Sequence, residues 1–221
     1  MTPDEQVLRK LRRRHARQLR VARAEGLLQG ALSMLRPGDV VVDCGANQGD
    51  VTAPLAATGA EVHAFEPDPY NLEKLRARFS GAGNVHLHAA AVGTSAGSIR
   101  LMRAANWAAN PDLASVKSTI VGGGVNIAEA EGIEVALVDF PAFVRGLLAR
   151  HDRVAFVKMD IEGAELDLLE AMLAQGLFEQ VQLTVAETHE HKFRSLRPQF
   201  AAMRAAIAAA YPPTRVNLDW I

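Results

Sequence analysis

Four stretches of the sequence pass from β-branched or apolar residues straight into polar or charged ones, and each is a place where chemistry can be done. The first is Val42-Asp43-Cys44-Gly45-Ala46-Asn47-Gln48-Gly49-Asp50. Gly45 and Gly49 let backbone approach a ligand closely, and Asp50 or Thr52 can open the helix that follows. The second is Phe65-Glu66-Pro67, in which Glu66 falls 21 residues after Gly45. At about that spacing an acid on the neighbouring strand can accept hydrogen bonds from ribose hydroxyls. The third is Phe156-Val157-Lys158-Met159-Asp160-Ile161-Glu162-Gly163-Ala164-Glu165. A strand alternates its faces, so Lys158, Asp160 and Glu162 project to one side as it leaves the sheet. Three charges in a row on a central strand are costly unless they line a polar cleft. The fourth, Val185-Ala186-Glu187-Thr188-His189-Glu190-His191, brings Glu187 and His189 to one face.

The glycine loop departs from a dinucleotide fingerprint. In Gly-x-Gly-x-x-Gly the second glycine admits a pyrophosphate, and here that position is Asn47, whose side chain stands in the way. Asp43 would repel a pyrophosphate and suits a cationic or amino-bearing ligand. S-adenosylmethionine carries a sulfonium, an ammonium and a ribose, which Asp43, the loop and Glu66 match in charge and order. The plainer alternative is that Asp43 and Glu66 cap helices or turns. Glu162 and Glu165 likewise suit the first turn of a helix, where the dipole favours acids. His189 can serve as a general base near neutral pH, and with Asp160, Glu162 and Glu187 it can bind a hard divalent cation such as Mg2+. Its alternative is an ordinary surface histidine. Cys44 reads as a small buried side chain.

Positioning these residues requires an α/β domain, because strand-like runs alternate with segments of helical period. Leu27, Leu28, Ala31, Leu32 and Leu35 make one helical face that Pro37-Gly38-Asp39 ends. Strands are expected at Val40 to Cys44, 61 to 66, Val85 to Val92, Ser98 to Met102, Ile133 to Val138, Val154 to Asp160, Val181 to Glu187 and Arg215 to Trp220. Asp68 and Pro69 supply an N-cap and a first-turn proline for a helix bearing Leu72, Leu75 and Phe79. Further helices follow Phe140, Leu166 and Ser195, the last capped by that serine. The rhythm breaks between Arg103 and Gly132, and a loop this long in a compact domain is usually a lid or a binding loop.

The Asp43-to-Gly49 loop, Phe65-Glu66-Pro67 and above all the run from Val157 to Glu165 resemble the FkbM family of S-adenosylmethionine-dependent methyltransferases. The resemblance spans about Val40 to Glu187. It implies a class I methyltransferase (Rossmann-like) doubly wound sheet of six or seven mostly parallel strands with helices on both faces, the seventh strand being antiparallel. Only one strand follows the last helix, so either the core is six-stranded or the segment before Phe140 supplies the seventh. The resemblance also implies O-methylation of a hydroxyl on a sugar or natural product. It places Asp43, Gly45, Asn47 and Gly49 on the cofactor loop, with Glu66 the ribose acid and Asp160 facing both cofactor and acceptor. Thr52 and Ala91 complete the expected cofactor-binding set. Lys158, Asp160, Glu187 and His189 are the expected catalytic groups, with His189 as base, and Asn106, Trp107, Lys117 and Ser118 would close over the acceptor.

Composition bounds what remains. The 221 residues, 49% of them apolar, suit one domain, read as a basic helical arm over 1–36 and a methyltransferase domain over 37–221. The longest apolar run, Ala205 to Tyr211, is far short of the roughly 18 residues that cross a bilayer. A mostly charged and polar opening without a leader pattern and a single cysteine fit a reducing cytoplasm. The near-neutral total hides an asymmetry: residues 1–25 carry eight basic and three acidic side chains, the remainder 16 and 22. Leu8, Leu11, His15 and Leu19 recur at helical spacing, so the arm can dock on its own acidic body or on a twin subunit. It lacks the interleaved aromatics that stack nucleic-acid bases. The competing function is a binding module that keeps the nucleoside pocket without catalysis and uses the arm to engage a partner or RNA.

Overall fold

Strands alternate with helices along the chain in the computed structural model, which describes residues 2–104, 107, 118–122 and 127–220. Helix α1 (Pro3–Met34) opens on a capping box, in which Thr2 accepts from the Glu5 amide and the Glu5 carboxylate accepts from the Thr2 amide. Then come β1 (Val40–Cys44), α2 (Thr52–Ala57), β2 (Glu61–Phe65), α3 (Pro69–Arg78), β3 (Val85–His88), β4 (Ala90–Gly93), β5 (Gly97–Ala104) and β6 (Ile127–Asp139). The second half holds α4 (Phe140–Leu148), β7 (Val154–Met159), α5 (Glu165–Ala174), β8 (Val181–Ala186), α6 (Arg197–Ala210) and β9 (Val216–Asn217). Asp68 caps α3 as expected, accepting from the Tyr70 amide at 3.0 Å with Pro69 in the first turn. Gly176, at φ 64°, follows α5 in the left-handed region, the usual device for ending a helix.

Six strands form one sheet in the order β3-β2-β1-β7-β8-β9, every neighbouring pair parallel. Chain order reverses between β1 and β7, the switch point at which an open α/β sheet leaves a crevice beyond its strand ends. Strands β1 and β7 are buried along their whole lengths, as parallel strands covered on both faces must be. On one face Val40, Val42, Val157 and Met159 pack with Phe140, Leu168, Met172 and Phe200 from α4, α5 and α6. On the other, Val41, Phe156 and Val185 meet Leu55 of α2 and Ala24 and Ala31 of α1.

The structure corrects several sequence expectations. The expected strand Val85 to Val92 divides at Ala89, with β3 joining the main sheet and β4 a second sheet of order β4-β6-β5. The segment before Phe140 is therefore no seventh strand of the main sheet, because β6 pairs with β4 and β5 instead. The closing strand shortens to β9 and runs parallel to β8, so among the described residues the main sheet is six-stranded and wholly parallel. Ser195 sits in a short 3-10 turn before α6, whose N-cap is Leu196 without a side-chain bond. Both ends of the expected lid are strand: β5 runs through Ala104 and β6 begins at Ile127, and between them Thr119 bridges Met102. Asn106 and Lys117 lie outside the described residues.

The basic arm is the amino-terminal part of α1, exposed over residues 4–20. Only from Ala24 onward does the helix contribute buried side chains. No helix among the described residues is long and apolar enough to cross a membrane.

Candidate active site

The turn after β1 is clamped between its neighbours. The Gly45 and Ala46 amides both donate to the Phe65 carbonyl at the end of β2, and the Asp160 amide donates to the Cys44 carbonyl from the end of β7. Gly45 sits at φ 78°, and a Cβ there would lie 1.9 Å from the Asp160 carbonyl oxygen, so only glycine lets the two strand ends meet so closely. Asn47 is also left-handed, at φ 50°. Its amide donates to Glu66 Oε2 at 2.8 Å, while its Oδ1 is buried without a hydrogen-bond partner among the described residues. Glu66 Oε1 accepts from the Asp68 amide at 2.8 Å. Burial of the Glu66 carboxyl raises its pKa to about 7, against the pull of these two amide donors.

Asp43 and Lys158 are register partners on β1 and β7. Both are buried, and the Lys158 ammonium lies 3.1 Å from Asp43 Oδ1 while donating to the Gly45 carbonyl at 2.7 Å. The Thr52 hydroxyl donates to Asp43 Oδ2 at 2.7 Å. Burial alone would lower the lysine's pKa, but the Asp43 and then the Asp160 carboxylates raise it instead. These three side chains therefore brace the turn from beneath. Gly49, at φ 88°, packs against Phe79 and Leu75 and likewise serves the scaffold.

Beyond the turn opens a cavity of about 350 Å3. One wall is Gly45, Asn47, Phe65, Glu66 and Pro67, and a second is Ala91, Val92, Leu101, Ser118 and Ile120. The third carries Asp160, Ile161, Glu162, Glu187 and Lys192. Of the residues expected to meet cofactor or acceptor, Gly45, Asn47, Glu66, Ala91, Asp160, Glu162 and Glu187 line this space, as does Ser118. Asp43, Thr52, Lys158, Gly49 and His189 stand behind its walls. Trp107 lies elsewhere, over the Arg103 guanidinium at 3.8 Å and edge-on to Tyr70.

His189 is almost fully buried. Its Nδ1 lies 3.0 Å from Glu165 Oε1, and its Nε2 faces Asp160, Glu162 and Glu187 oxygens at 3.8, 3.6 and 3.7 Å. Burial lowers the imidazole pKa, but the Glu165 hydrogen bond and charge, then Glu162, outweigh it and carry it up to about 9. Burial and the nearby Asp160 push Glu187 up to about 6. Glu162 is raised by burial, against His189 and Lys192, and the Lys192 ammonium pairs directly with its Oε2.

Two residues escaped sequence reasoning. Glu165, read as a first-turn acid, is fully buried and accepts from the Ile161 amide at 2.7 Å, the Gly163 amide at 2.9 Å and His189. Its spacing to Leu168, Leu169 and Met172 places it on the buried face of α5, and that spacing was the available signal. Arg103, on β5, forks onto Asp68 at 3.1 and 2.7 Å, tying the second sheet to the start of α3.

The Methyltransferase FkbM domain family matches residues 43–211. The 31-O-demethyl-FK506 methyltransferase FkbM of Streptomyces tacrolimicus is 31% identical over 182 residues, covering 71% of this chain and 67% of that protein. Among solved structures, an rRNA methylase from Streptococcus thermophilus matches 29% of this chain and 40% of its own at 29% identity, with a TM-score of 0.28. A precorrin-6y C5,15-methyltransferase from Geobacter metallireducens GS-15 matches 80% of this chain and 69% of its own at 13% identity and a TM-score of 0.40. With the turn after β1, the acid ending β2 and the cavity beyond them in place, the chain belongs to the FkbM family of S-adenosylmethionine-dependent methyltransferases.

Proposed function

We propose that the protein methylates a hydroxyl oxygen of a small molecule such as a sugar or natural product. One observation carries this reading: a single cavity joins the Gly45–Asn47 turn and Glu66 to the carboxylates of Asp160 and Glu187. The relative from Streptomyces tacrolimicus is named for a 31-O-demethyl acceptor, which favours oxygen as the atom methylated.

The residues present fit the cofactor. Asn47 offers an unpartnered buried Oδ1 at the cavity wall, and Glu66 offers a carboxyl beside it. Gly45 leaves room for close backbone approach, and Ala91 gives a small apolar surface. S-adenosylmethionine supplies an electrophilic methyl group on a sulfonium. The protein's share is alignment of the acceptor oxygen and exclusion of water, which can supply about 7–11 kcal/mol of the barrier. An acceptor hydroxyl that took that methyl group would lose its proton, and the proton would need a base in the cavity. Glu187 takes that role here, because its carboxylate lines the cavity, whereas His189 stands behind the wall with Nδ1 committed to Glu165. Asp160, on the same wall, orients the acceptor hydroxyl.

The test is incubation with methyl-labelled S-adenosylmethionine and a panel of sugars and hydroxylated natural products. Label recovered in ether linkages is the expected result. Label on nitrogen or on RNA would overturn the proposal, as would calorimetric heat with NADH and none with S-adenosylmethionine.

A further inference from the structure

We propose that the amino-terminal half of α1 docks on an anionic lipid surface and holds the cavity end of the sheet toward it. The proposal goes beyond the transfer reaction and does not depend on which acceptor is methylated.

The arm carries two features that the body does not cover, since residues 4–20 are all exposed. The first is an apolar stripe. At about 100° per residue, Val7, Leu8, Leu11 and Leu19 fall within about 120° of one another, and each is 45–57% exposed. Among the described residues only Met34 joins them as an exposed large apolar side chain. The second is charge: Arg12 and Arg14 border the stripe on either side, and residues 1–25 carry eight basic and three acidic side chains. Farther along α1, Ala24, Ala31 and Leu35 pack on the sheet from a face roughly opposite the stripe, so docking of the helix on its own domain leaves the stripe pointing outward.

Hydrocarbon set beside dense positive charge selects the partner. A nucleic acid would meet the charge but offers the aliphatic side chains little, and α1 has no Phe, Tyr or Trp on which bases could stack. A second copy of α1 would meet the leucines, yet it sets the same eight basic side chains against these, and like charges on facing helices repel. An anionic bilayer satisfies both features at once. The leucines enter the boundary between headgroups and acyl chains while the guanidinium groups reach the phosphates.

The direction of α1 decides what is brought to the lipid. Met34 and Leu35, at its carboxyl end, border a small cleft with Ala155 and Gln182, near the starts of β7 and β8. Arg20 lies toward the other end of those strands. Burial, Lys192 and His189 hold the imidazole of His191, past the end of β8, below its usual pKa, and the Arg20 guanidinium is near enough to add to that effect. Helix α1 therefore runs against the strands, and residues 4–20, about 25 Å of helix, project past the carboxyl ends at which the cavity opens. The remainder of the chain, with 16 basic and 22 acidic side chains, is repelled by the same lipid, so charge orients the arm toward the surface.

The experiment is co-sedimentation of the full chain with vesicles of phosphatidylcholine alone and with vesicles holding about a quarter phosphatidylserine. Binding at least about tenfold tighter to the anionic vesicles is expected, weakening as salt rises toward about 0.5 M. Arg12→Gln with Arg14→Gln, and separately Leu8→Asn with Leu11→Asn, should each weaken it by about tenfold. All four side chains are exposed, so the urea midpoint should stay at the wild-type value, which separates lost docking from misfolding. No binding, or no preference for anionic vesicles, would overturn the proposal. Binding that ignores the leucine pair would overturn it too, marking charge attraction alone. Tighter binding to RNA than to the anionic vesicles, again untouched by the leucine pair, would assign the arm to nucleic acid. A dimer in equilibrium sedimentation that Leu8→Asn with Leu11→Asn dissolves would give the stripe to a second copy instead.

Discussion

Asp43 and Asp160 stand at the carboxyl ends of adjacent strands and share one lysine, yet their surroundings differ. Asp43 is fully buried, with Lys158 at 3.1 Å and the Thr52 hydroxyl at 2.7 Å. The Asp160 side chain is 31% exposed, lies 3.8 Å from the same ammonium and borders the cavity. Position at a strand end is therefore insufficient to make an acid functional. Helix α2 closes over the first through Thr52, whereas among the described residues no helix closes over the second, which borders the cavity.

The largest test of this contrast removes the shared lysine. Lys158→Met leaves Asp43 as an uncompensated buried charge and should cost about 3–5 kcal/mol, read as a lowered midpoint in urea. Asp160→Asn should shift that midpoint by less than about 1 kcal/mol. Equal losses would mean that Asp160 belongs to the scaffold as well.

Glu66 lies between the two cases, since it is buried and still borders the cavity. Its folded pKa of about 7 exceeds the ordinary 4.5, so the folded state prefers the protonated form. The stabilisation is complete below pH 4.5 and is lost as pH rises through 7, up to about 3 kcal/mol in all. Glu66→Gln should flatten the stability profile across that window in denaturation curves at pH 4.5, 6 and 7.5. A wild-type profile already flat there would show that Glu66 is solvated like an ordinary carboxylate.

On the open side, Asp160→Asn should reduce turnover by about 100-fold, about 2.7 kcal/mol of transition-state stabilisation, with affinity for S-adenosylhomocysteine held within about threefold. Parallel loss of both would make it a cofactor ligand first. The smallest effect is expected on the arm, where Arg13→Ala and Arg17→Ala touch only exposed helix and should move stability by less than about 0.5 kcal/mol. A larger drop, dependent on protein concentration, would show that α1 is covered by a second subunit.

Much of this contrast was legible in the sequence and part of it was not. The alternation of strands and helices, the Asp68 cap and the Gly45–Asn47 turn beside Glu66 follow from local patterns that the fold preserves. Asp43 was read as an acid for a cationic ligand. The cation it meets is Lys158, because the pairing of β1 with β7 sets side by side two residues that lie far apart in the chain, a register invisible to local spacing. The division of Val85 to Val92 at Ala89 escaped for a similar reason: both halves are strand-like, and only the partners β2 and β6 decide which sheet each joins. The contact of His189 Nδ1 with Glu165 is likewise set by the packing of α5, which buries that acid.

The second sheet has a consequence for how such an enzyme changes its substrate. Gly93 and Asp139 are paired on β4 and β6, so the excursion from 94 to 138 leaves and rejoins the body at neighbouring points about 4.8 Å apart. Loop-closure entropy grows only logarithmically, so even doubling that excursion costs about 0.6 kcal/mol. Leu101, Ser118 and Ile120, which face the cavity from within it, can thus be exchanged or spaced differently while the turn after β1 keeps its form. The lining that this excursion gives the cavity is thus changeable at a cost far below the stability of the main sheet.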